Sequence, residues 1–263
     1  MGRILITGST DGFGLGAARQ LVERNHTVYL HARNAARAEE AKNLVPGAAG
    51  VFVADLTSTS ETRSLAEQAN AVGQFDAVVL NAGLLYGPFR ETESGVPAQI
   101  FVNLVSPYIF TCLLTPPKRI VFVASVLHRE AKPEVEDIFW LGRGEKEWND
   151  FEAYCNSKFH VMCLVNAAAR RMQGKGTSVV AMHPGYVPTK LTKFEAPDKM
   201  EDGLETYVML AEGEYDVSGE TGRYFDPKKQ KGEPLPATED VGLQEAVVRA
   251  LEDFTGLKLP GSA

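Results

Sequence analysis

Tyr154 and Lys158 stand four residues apart in FEAYCNSKFH, inside a segment whose pattern predicts a helix, so both side chains leave one face about one turn apart. A tyrosine titrates near pKa 10. An ammonium fixed about 4 Å away, at an effective dielectric of about 20, would favour the phenolate by about 4 kcal/mol, or about a thousandfold in acidity. Such a phenol would exchange protons near neutral pH as a general acid or base. Taken alone, the same spacing also describes a half-buried tyrosine beside a solvated lysine on any amphipathic helix. Its meaning depends on the residues that accompany it.

The first of these lie at the start of the chain. The apolar run Arg3-Ile4-Leu5-Ile6 breaks into Thr7-Gly8-Ser9-Thr10-Asp11-Gly12-Phe13-Gly14 and then into a helical pattern through Leu15, Ala18, Leu21 and Val22. A strand, a glycine turn and a helix N-terminus in that order suit a pyrophosphate. Glycines allow close backbone approach, and the free N–H groups and dipole of the helix end favour negative charge. The spacing is G-x-x-x-G-x-G, not the commoner G-x-G-x-x-G. After the second predicted strand the chain reads His31-Ala32-Arg33-Asn34, with no acidic residue to meet a ribose 2′-hydroxyl. Arg33 offers a fork for a 2′-phosphate instead, although a surface arginine opening a helix would read the same way.

The elements that must position these groups alternate strand and helix along the whole chain. Strands are predicted at 3–7, 27–32, 50–53, 76–81, 119–125 and 177–182, with a short last one near Arg223-Tyr224-Phe225. Helices are predicted at about 14–25, 35–44, 60–71, 98–113 and 151–173, with another starting near Lys199. This alternation implies an α/β, doubly wound fold: a parallel, roughly seven-stranded sheet covered by helices on both faces, in one domain over residues 1–263. Ligands in such sheets bind outside the carboxyl ends of the strands. There the chain places Asp55-Leu56, Asn81-Ala82-Gly83, Ser125 and Pro184-Gly185.

Composition narrows the class. With 27 basic and 34 acidic residues the net charge is −7 and no basic patch stands out, which argues against nucleic acid as a partner. No apolar stretch approaches the roughly 20 residues of a transmembrane helix, and no signal peptide precedes the first strand, so a cytoplasmic location is expected. Cys112, Cys155 and Cys163 are odd in number and lack metal-ligand spacing. Reduced, mostly buried thiols and no metal are expected.

In their order, TGSTDGFG at 7–14, DL at 55–56, LNAG at 80–83, Asn103 in FVNL, Ser125 in VFVAS, YCNSK at 154–158 and HPGYVPT at 183–189 resemble the short-chain dehydrogenase/reductase family. ETESG at 91–95, Ser125-Val126-Leu127-His128-Arg129, TGRYFDP and LEDFTGL are similar to its retinol-dehydrogenase-like and anthracycline-ketoreductase-like branch. The resemblance implies a Rossmann fold and a catalytic set of Asn103, Ser125, Tyr154 and Lys158. Tyr154 would exchange the proton, Lys158 would lower its pKa and hold the nicotinamide ribose, and Ser125 would orient the carbonyl oxygen. Asn103 would support a water linking Lys158 to solvent. The cofactor would rest on Gly8, Thr10, Asp11, Gly12, Phe13, Gly14, Arg33, Asp55, Leu56, Asn81, Ala82, Gly83, Tyr154, Lys158, Pro184, Gly185, Val187 and Thr189. NADP(H) is the preferred cofactor on the strength of Arg33, with NAD(H) as the alternative.

The chain departs from the family pattern in three places. Only Leu113-Leu114-Thr115-Pro116-Pro117-Lys118 separates the Asn103 helix from the next strand, which counts against dimerisation across that helix, and monomer and homodimer both stay open. The segment from Lys190 to Asp198 is short where relatives place a substrate-covering loop, so a comparatively open pocket is expected. The excursion between Ser125 and Tyr154 is long. Its Phe139, Trp140 and Trp148 could wall an apolar substrate site or form a satellite of the core. The expected activity is hydride transfer between the nicotinamide and an apolar ketone, aldehyde or alcohol, bulky ones included. A non-catalytic dinucleotide-binding regulator is the alternative from a different class.

Overall fold

The computed structural model describes residues 1–213 and 221–261. Seven strands run parallel: β1 (Arg3–Ile6), β2 (Thr27–Ala32), β3 (Gly50–Val53), β4 (Ala77–Leu80), β5 (Arg119–Val123), β6 (Ser178–Met182) and β7 (Tyr224–Asp226). An eighth, β8 (Gln230–Lys231), returns antiparallel against β7, and the order across the sheet is β3-β2-β1-β4-β5-β6-β7-β8. That last hairpin is absent from the sequence reading because DPKKQK carries no apolar alternation. Its turn depends on Lys228 and Lys229 adopting left-handed backbone, at φ 61° and 58°.

Alternation along the strands sends each residue to one of two cores. Leu5, Val78, Leu80, Ile120, Phe122, Val179 and Ala181 pack beneath α3 (Thr59–Val72), α5 (Ser106–Leu113), α6 (Asp150–Met172) and α8 (Val241–Thr255). Ile4, Ile6, Ala77, Val79, Val121, Val180 and Met182 face α1 (Gly12–Glu23), α2 (Ala35–Leu44) and α7 (Met200–Glu212). The central strands are therefore apolar on both faces, as a parallel sheet requires. No described helix is long and apolar enough to cross a membrane.

Three strands end earlier than their sequence pattern suggests, at Ile6, Leu80 and Val123. Asn81 and Ser125, both expected in the site, lie just past these strand ends, and Thr7 keeps one backbone bond to Val79 O while its side chain turns to the Asn81 loop. The helix expected at 98–113 is continuous but not uniform. It begins as α4 (Ala98–Ile100), widens to a π turn over Phe101–Val105 with Asn103 at its centre, and resumes as α5.

α7 lies tight against the loop after β6. A Cβ on Gly203 would fall 1.9 Å from the Pro184 carbonyl oxygen and 2.7 Å from the Phe13 ring. Gly203→Ala is therefore expected to lower the melting temperature by at least about 2 °C, from about 1–3 kcal/mol of overpacking strain. Calorimetry checks this, and an unchanged melting temperature would contradict the packing.

Candidate active site

The glycine turn is held from three sides by strand-end loops. Asp11 caps α1 and accepts a hydrogen bond from Gly12 N at 2.8 Å. Gly8 sits at φ +64°, and a Cβ there would lie 2.9 Å from Ala82 Cα; one on Gly14 would lie 2.7 Å from Asn81 Nδ2. Asn81 donates through Nδ2 to the Thr7 and Gly8 carbonyls at 2.9 and 3.0 Å, while Thr7 Oγ1 accepts from the Asn81 and Ala82 amides. The TGSTDGFG and LNAG motifs are thus one hydrogen-bonded unit.

His31 completes it, a role sequence reasoning missed. Its Nδ1 accepts from Gly8 N at 2.9 Å, its Nε2 donates to Ala54 O at 3.0 Å, and its amide donates to Ser9 Oγ at 2.9 Å. These partners require a neutral ring with the proton on Nε2, and burial lowers its pKa to about 4. His31 therefore ties three strand-end loops together while uncharged.

Arg33 is exposed just beyond β2. A second guanidinium, which the sequence pattern does not single out, also stands at this corner. Arg37 donates to the Thr10 carbonyl and hydroxyl at 3.1 Å each, and it pairs with Glu40 and Asp11. Asp55 is turned inward, accepting from Thr57 N and Oγ1 at 2.9 and 2.8 Å. Leu56, with Thr7, Leu65, Ala82, Val102 and Ser106, lines a recess beside the turn.

Across the sheet edge, Asn103, Ser125, Tyr154 and Lys158 are all buried and come together. Asn103 donates through Nδ2 to Leu84 O (2.9 Å) and Ser157 Oγ (3.1 Å), and its Oδ1 accepts from Leu84 N (2.8 Å). Its side chain is thus a bracket between the LNAG loop and α6, fully engaged by protein. Ser125 caps a short turn, its Oγ accepting from Leu127 N at 3.2 Å. Behind it His128, fully buried, meets Ser125 O through Nδ1 and accepts from Leu235 N at 3.0 Å through Nε2. Its proton therefore lies on Nδ1, the opposite tautomer to His31. The linking role of His128, like that of His31, is not readable locally, because its partner Leu235 lies far along the chain.

The expected acidification of Tyr154 by Lys158 is not present in the protein alone. The two residues do share a helix face, but Lys158 Nζ lies 5.7 Å from the Tyr154 ring centroid and donates to the Val123 carbonyl at 2.8 Å. Burial pushes the Tyr154 phenol up to about 12, against the opposing pull of Ser125. Burial also brings Lys158 down to about 8. Helical spacing correctly places the pair on one face, but burial dominates both groups and the ammonium is turned to the Val123 carbonyl.

The loop after β6 reaches the glycine turn from the other side. Thr189 packs against Gly12, where a Cβ would lie 3.6 Å from its methyl group. Thr192 Oγ1 donates to the Val187 and Thr189 carbonyls at 2.6 and 3.1 Å and accepts from Thr189 N at 3.0 Å. Gly185 has φ +94°, and Pro184 lies under α7. Lys190 then pairs with Asp11, so the segment after Thr189 is fastened to the glycine turn. Asp11 stays below its ordinary pKa; burial alone would raise it, but Lys190 and Arg37 hold it charged.

The aromatics of the long excursion are a satellite of the core rather than a pocket wall. Trp140 is 2% exposed, stacks edge-on with Trp148 at 5.3 Å and carries the Arg143 guanidinium on its face at 3.5 Å; Phe139 packs on Phe254 of α8. Trp148 Nε1 donates to Gly87 O at 3.1 Å and Asp150 Oδ2 accepts from Gly87 N at 3.1 Å. The excursion thereby braces the loop after β4. The three cysteines are free, with Cys155 and Cys163 buried.

A family model described as short chain dehydrogenase matches residues 3–136. The short-chain dehydrogenase chry4 of Gibberella zeae is 68% identical over 260 residues, covering 99% of each chain. Retinol dehydrogenase 13 of Homo sapiens is 27% identical over 290 residues, covering 98% of this chain and 85% of its own. Among solved structures, the Pseudomonas aeruginosa RhlG/NADP active-site complex superposes with a TM-score of 0.67 at 21% identity, over 85% of this chain and 93% of that one. With its motifs gathered at one sheet edge and this likeness over nearly its full length, the chain belongs to the short-chain dehydrogenase family, in its retinol-dehydrogenase-like branch.

Proposed function

We propose that this oxidoreductase interconverts an apolar ketone or aldehyde with its alcohol, using NADP(H). One observation carries the reading: a buried acid, a buried ammonium and a hydroxyl converge beside a glycine cradle at the carboxyl edge of the sheet. A binding module would have no need of all three.

The residues present fit a dinucleotide. Gly83 leaves room directly beside Lys158, where a Cβ would lie 3.7 Å from Nζ, and the buried ammonium faces no carboxylate among the described residues. Gly8, Thr10, Asp11, Gly12, Phe13 and Gly14 would hold the pyrophosphate, Asp55 and Leu56 the adenine, and Asn81, Ala82 and Gly83 the adenosine side. Pro184, Gly185, Val187 and Thr189 would hold the carboxamide, and Lys158 the ribose. A nicotinamide bound there supplies or accepts the hydride. During reduction Tyr154 Oη gives its proton to the developing alkoxide, while Ser125 Oγ donates a hydrogen bond to the same oxygen. During oxidation the phenolate takes that proton back. The donors are fixed in a dry site before charge develops, which is where electrostatic stabilisation is most effective.

NADP(H) is favoured over NAD(H) by the two guanidinium groups, Arg33 and Arg37, at the adenosine corner, and a structural neighbour is an NADP complex. Arg33→Ala is expected to weaken NADPH about 10- to 100-fold and leave NADH unchanged. Arg37→Ala, which also frees Thr10, should weaken both cofactors. Nicotinamide fluorescence titration measures each, and equal affinity of the unmutated protein for NADPH and NADH would refute the preference.

Tyr154→Phe should keep cofactor binding while kcat falls about 10²- to 10⁴-fold, as expected of a lost general acid. Near-normal turnover would remove Tyr154 from the mechanism. Its pH dependence follows from the same role: in oxidation kcat/KM should rise with pH as the phenol ionises.

Lys158→Met should abolish turnover and yet raise the melting temperature. A folded-state pKa of about 8 against 10.5 makes the buried charge destabilising, on the order of 3 kcal/mol at most, or several degrees. The sign follows from proton linkage. Below pH 8 both states are protonated and the penalty is complete; from pH 8 to 10.5 the unfolded lysine binds more protons, so the unmutated protein gains stability. The advantage of Lys158→Met should accordingly shrink over that range in thermal scans at successive pH values.

A further inference from the structure

Three residues at the mouth of the site take no part in the hydride and proton chemistry. Tyr86 stands on the loop after β4, Tyr186 on the loop after β6, and Lys193 just beyond the turn Lys190–Thr192. The two phenols are large, polar-tipped and about as exposed as each other, at 40% and 38%. Each is nevertheless anchored through its backbone. Gly87, next to Tyr86, is gripped on both polar atoms by Trp148 and Asp150. Tyr186 exchanges two hydrogen bonds with Asp198, its N donating to Oδ2 at 2.7 Å and its O accepting from Asp198 N at 2.9 Å.

Lys193 and Phe194 both adopt left-handed backbone, at φ 53° and 62°, a conformation that residues with a Cβ avoid. Their turn is closed by Phe194 N donating to Thr189 O at 2.8 Å, and it carries the Lys193 ammonium to 4.9 Å from the centroid of the Tyr86 ring. Strap and loop therefore meet across the opening. Among the described residues no carboxylate pairs with Lys193, whereas neighbouring Lys190 is held by Asp11. Tyr86 also lies close to the reacting end: its phenol is held above the ordinary value by partial burial and then by Tyr186, and it is felt in turn by Tyr154.

We propose that Tyr86, Tyr186 and Lys193 form a substrate subsite for an aromatic ketone that bears a carboxylate, the ring resting on the phenols and the carboxylate taking the Lys193 ammonium. This rests on the oxidoreductase reading above and sharpens its substrate class. An aliphatic chain would find area here but no use for two π faces, and a neutral ring would leave the ammonium without an anion.

The test uses the full chain with three probes: 4-acetylbenzoate, acetophenone and cyclohexyl methyl ketone. Binding is measured by calorimetry with NADP+ present, a mixture in which the ketone is not turned over, and reduction is followed separately with NADPH. The unmutated protein should bind 4-acetylbenzoate at least about tenfold more tightly than the cyclohexyl ketone. Lys193→Met should remove about tenfold for 4-acetylbenzoate alone, and Lys193→Arg should restore it. Tyr86→Leu and Tyr186→Leu should each weaken both aryl ketones about fivefold and leave the cyclohexyl ketone within about twofold. Equal affinity for the three probes, or a Lys193→Met loss shared by acetophenone, overturns the subsite. Selective binding with no reduction of any probe counts against the oxidoreductase reading and leaves the subsite standing.

Discussion

The structure is organised around a charge it would be more stable without. Lys158 is 4% exposed, its ammonium rests on one carbonyl oxygen, and Tyr154 one turn away is equally dry. Left to themselves the two groups lean towards neutrality, the lysine drawn down and the phenol pushed up by the same loss of water. Such a site persists only if the surroundings over-determine it. The long helix α6 does so by sinking Phe159, Met162, Leu164 and Val165 into the larger core, so that the two side chains cannot turn to solvent without unpacking the helix.

What the helix does for Tyr154 and Lys158, hydrogen bonds between loops do for the rest of the strand ends. Buried backbone groups must be paired, and where strands stop pairing the partners have to come from elsewhere. Here they come from a few side chains that each serve two loops: Thr7 and Asn81 join the ends of β1 and β4, His31 joins β1, β2 and β3, Asn103 joins the β4 loop to α6, and His128 joins β5 to the chain near Leu235. The two histidines use opposite ring nitrogens as donors and are fixed as neutral linkers. Their role is to make the edge of the sheet rigid.

The frame of this arrangement is legible in the chain. Apolar runs broken by glycine, asparagine or serine mark the strand ends, and the order of the motifs identifies the residues that meet there. Properties that depend on distant partners are not legible. His31 and His128 look like ordinary polar residues in apolar company, since their roles depend on Ala54 and Leu235. Spacing puts Lys158 on the face of Tyr154 but cannot show that its ammonium will choose the Val123 carbonyl. Likewise Trp140 and Trp148 are as apparent to a reader as pocket walls would be, and only the course of the excursion shows that Trp140 is buried in the core and that Trp148 steadies Gly87.

The π turn at Phe101–Val105 gives the helix one residue more than a regular ladder would hold. Each residue of an α-helix turns the chain by about 100°. Deleting any one of these five would therefore yield a more regular helix and swing either Asn103 or everything before it off its register with Leu84 and Ser157. Losing a position here would displace the site even with the remaining side chains retained, so the length of this stretch, together with Asn103 and its buried neighbours, records the site.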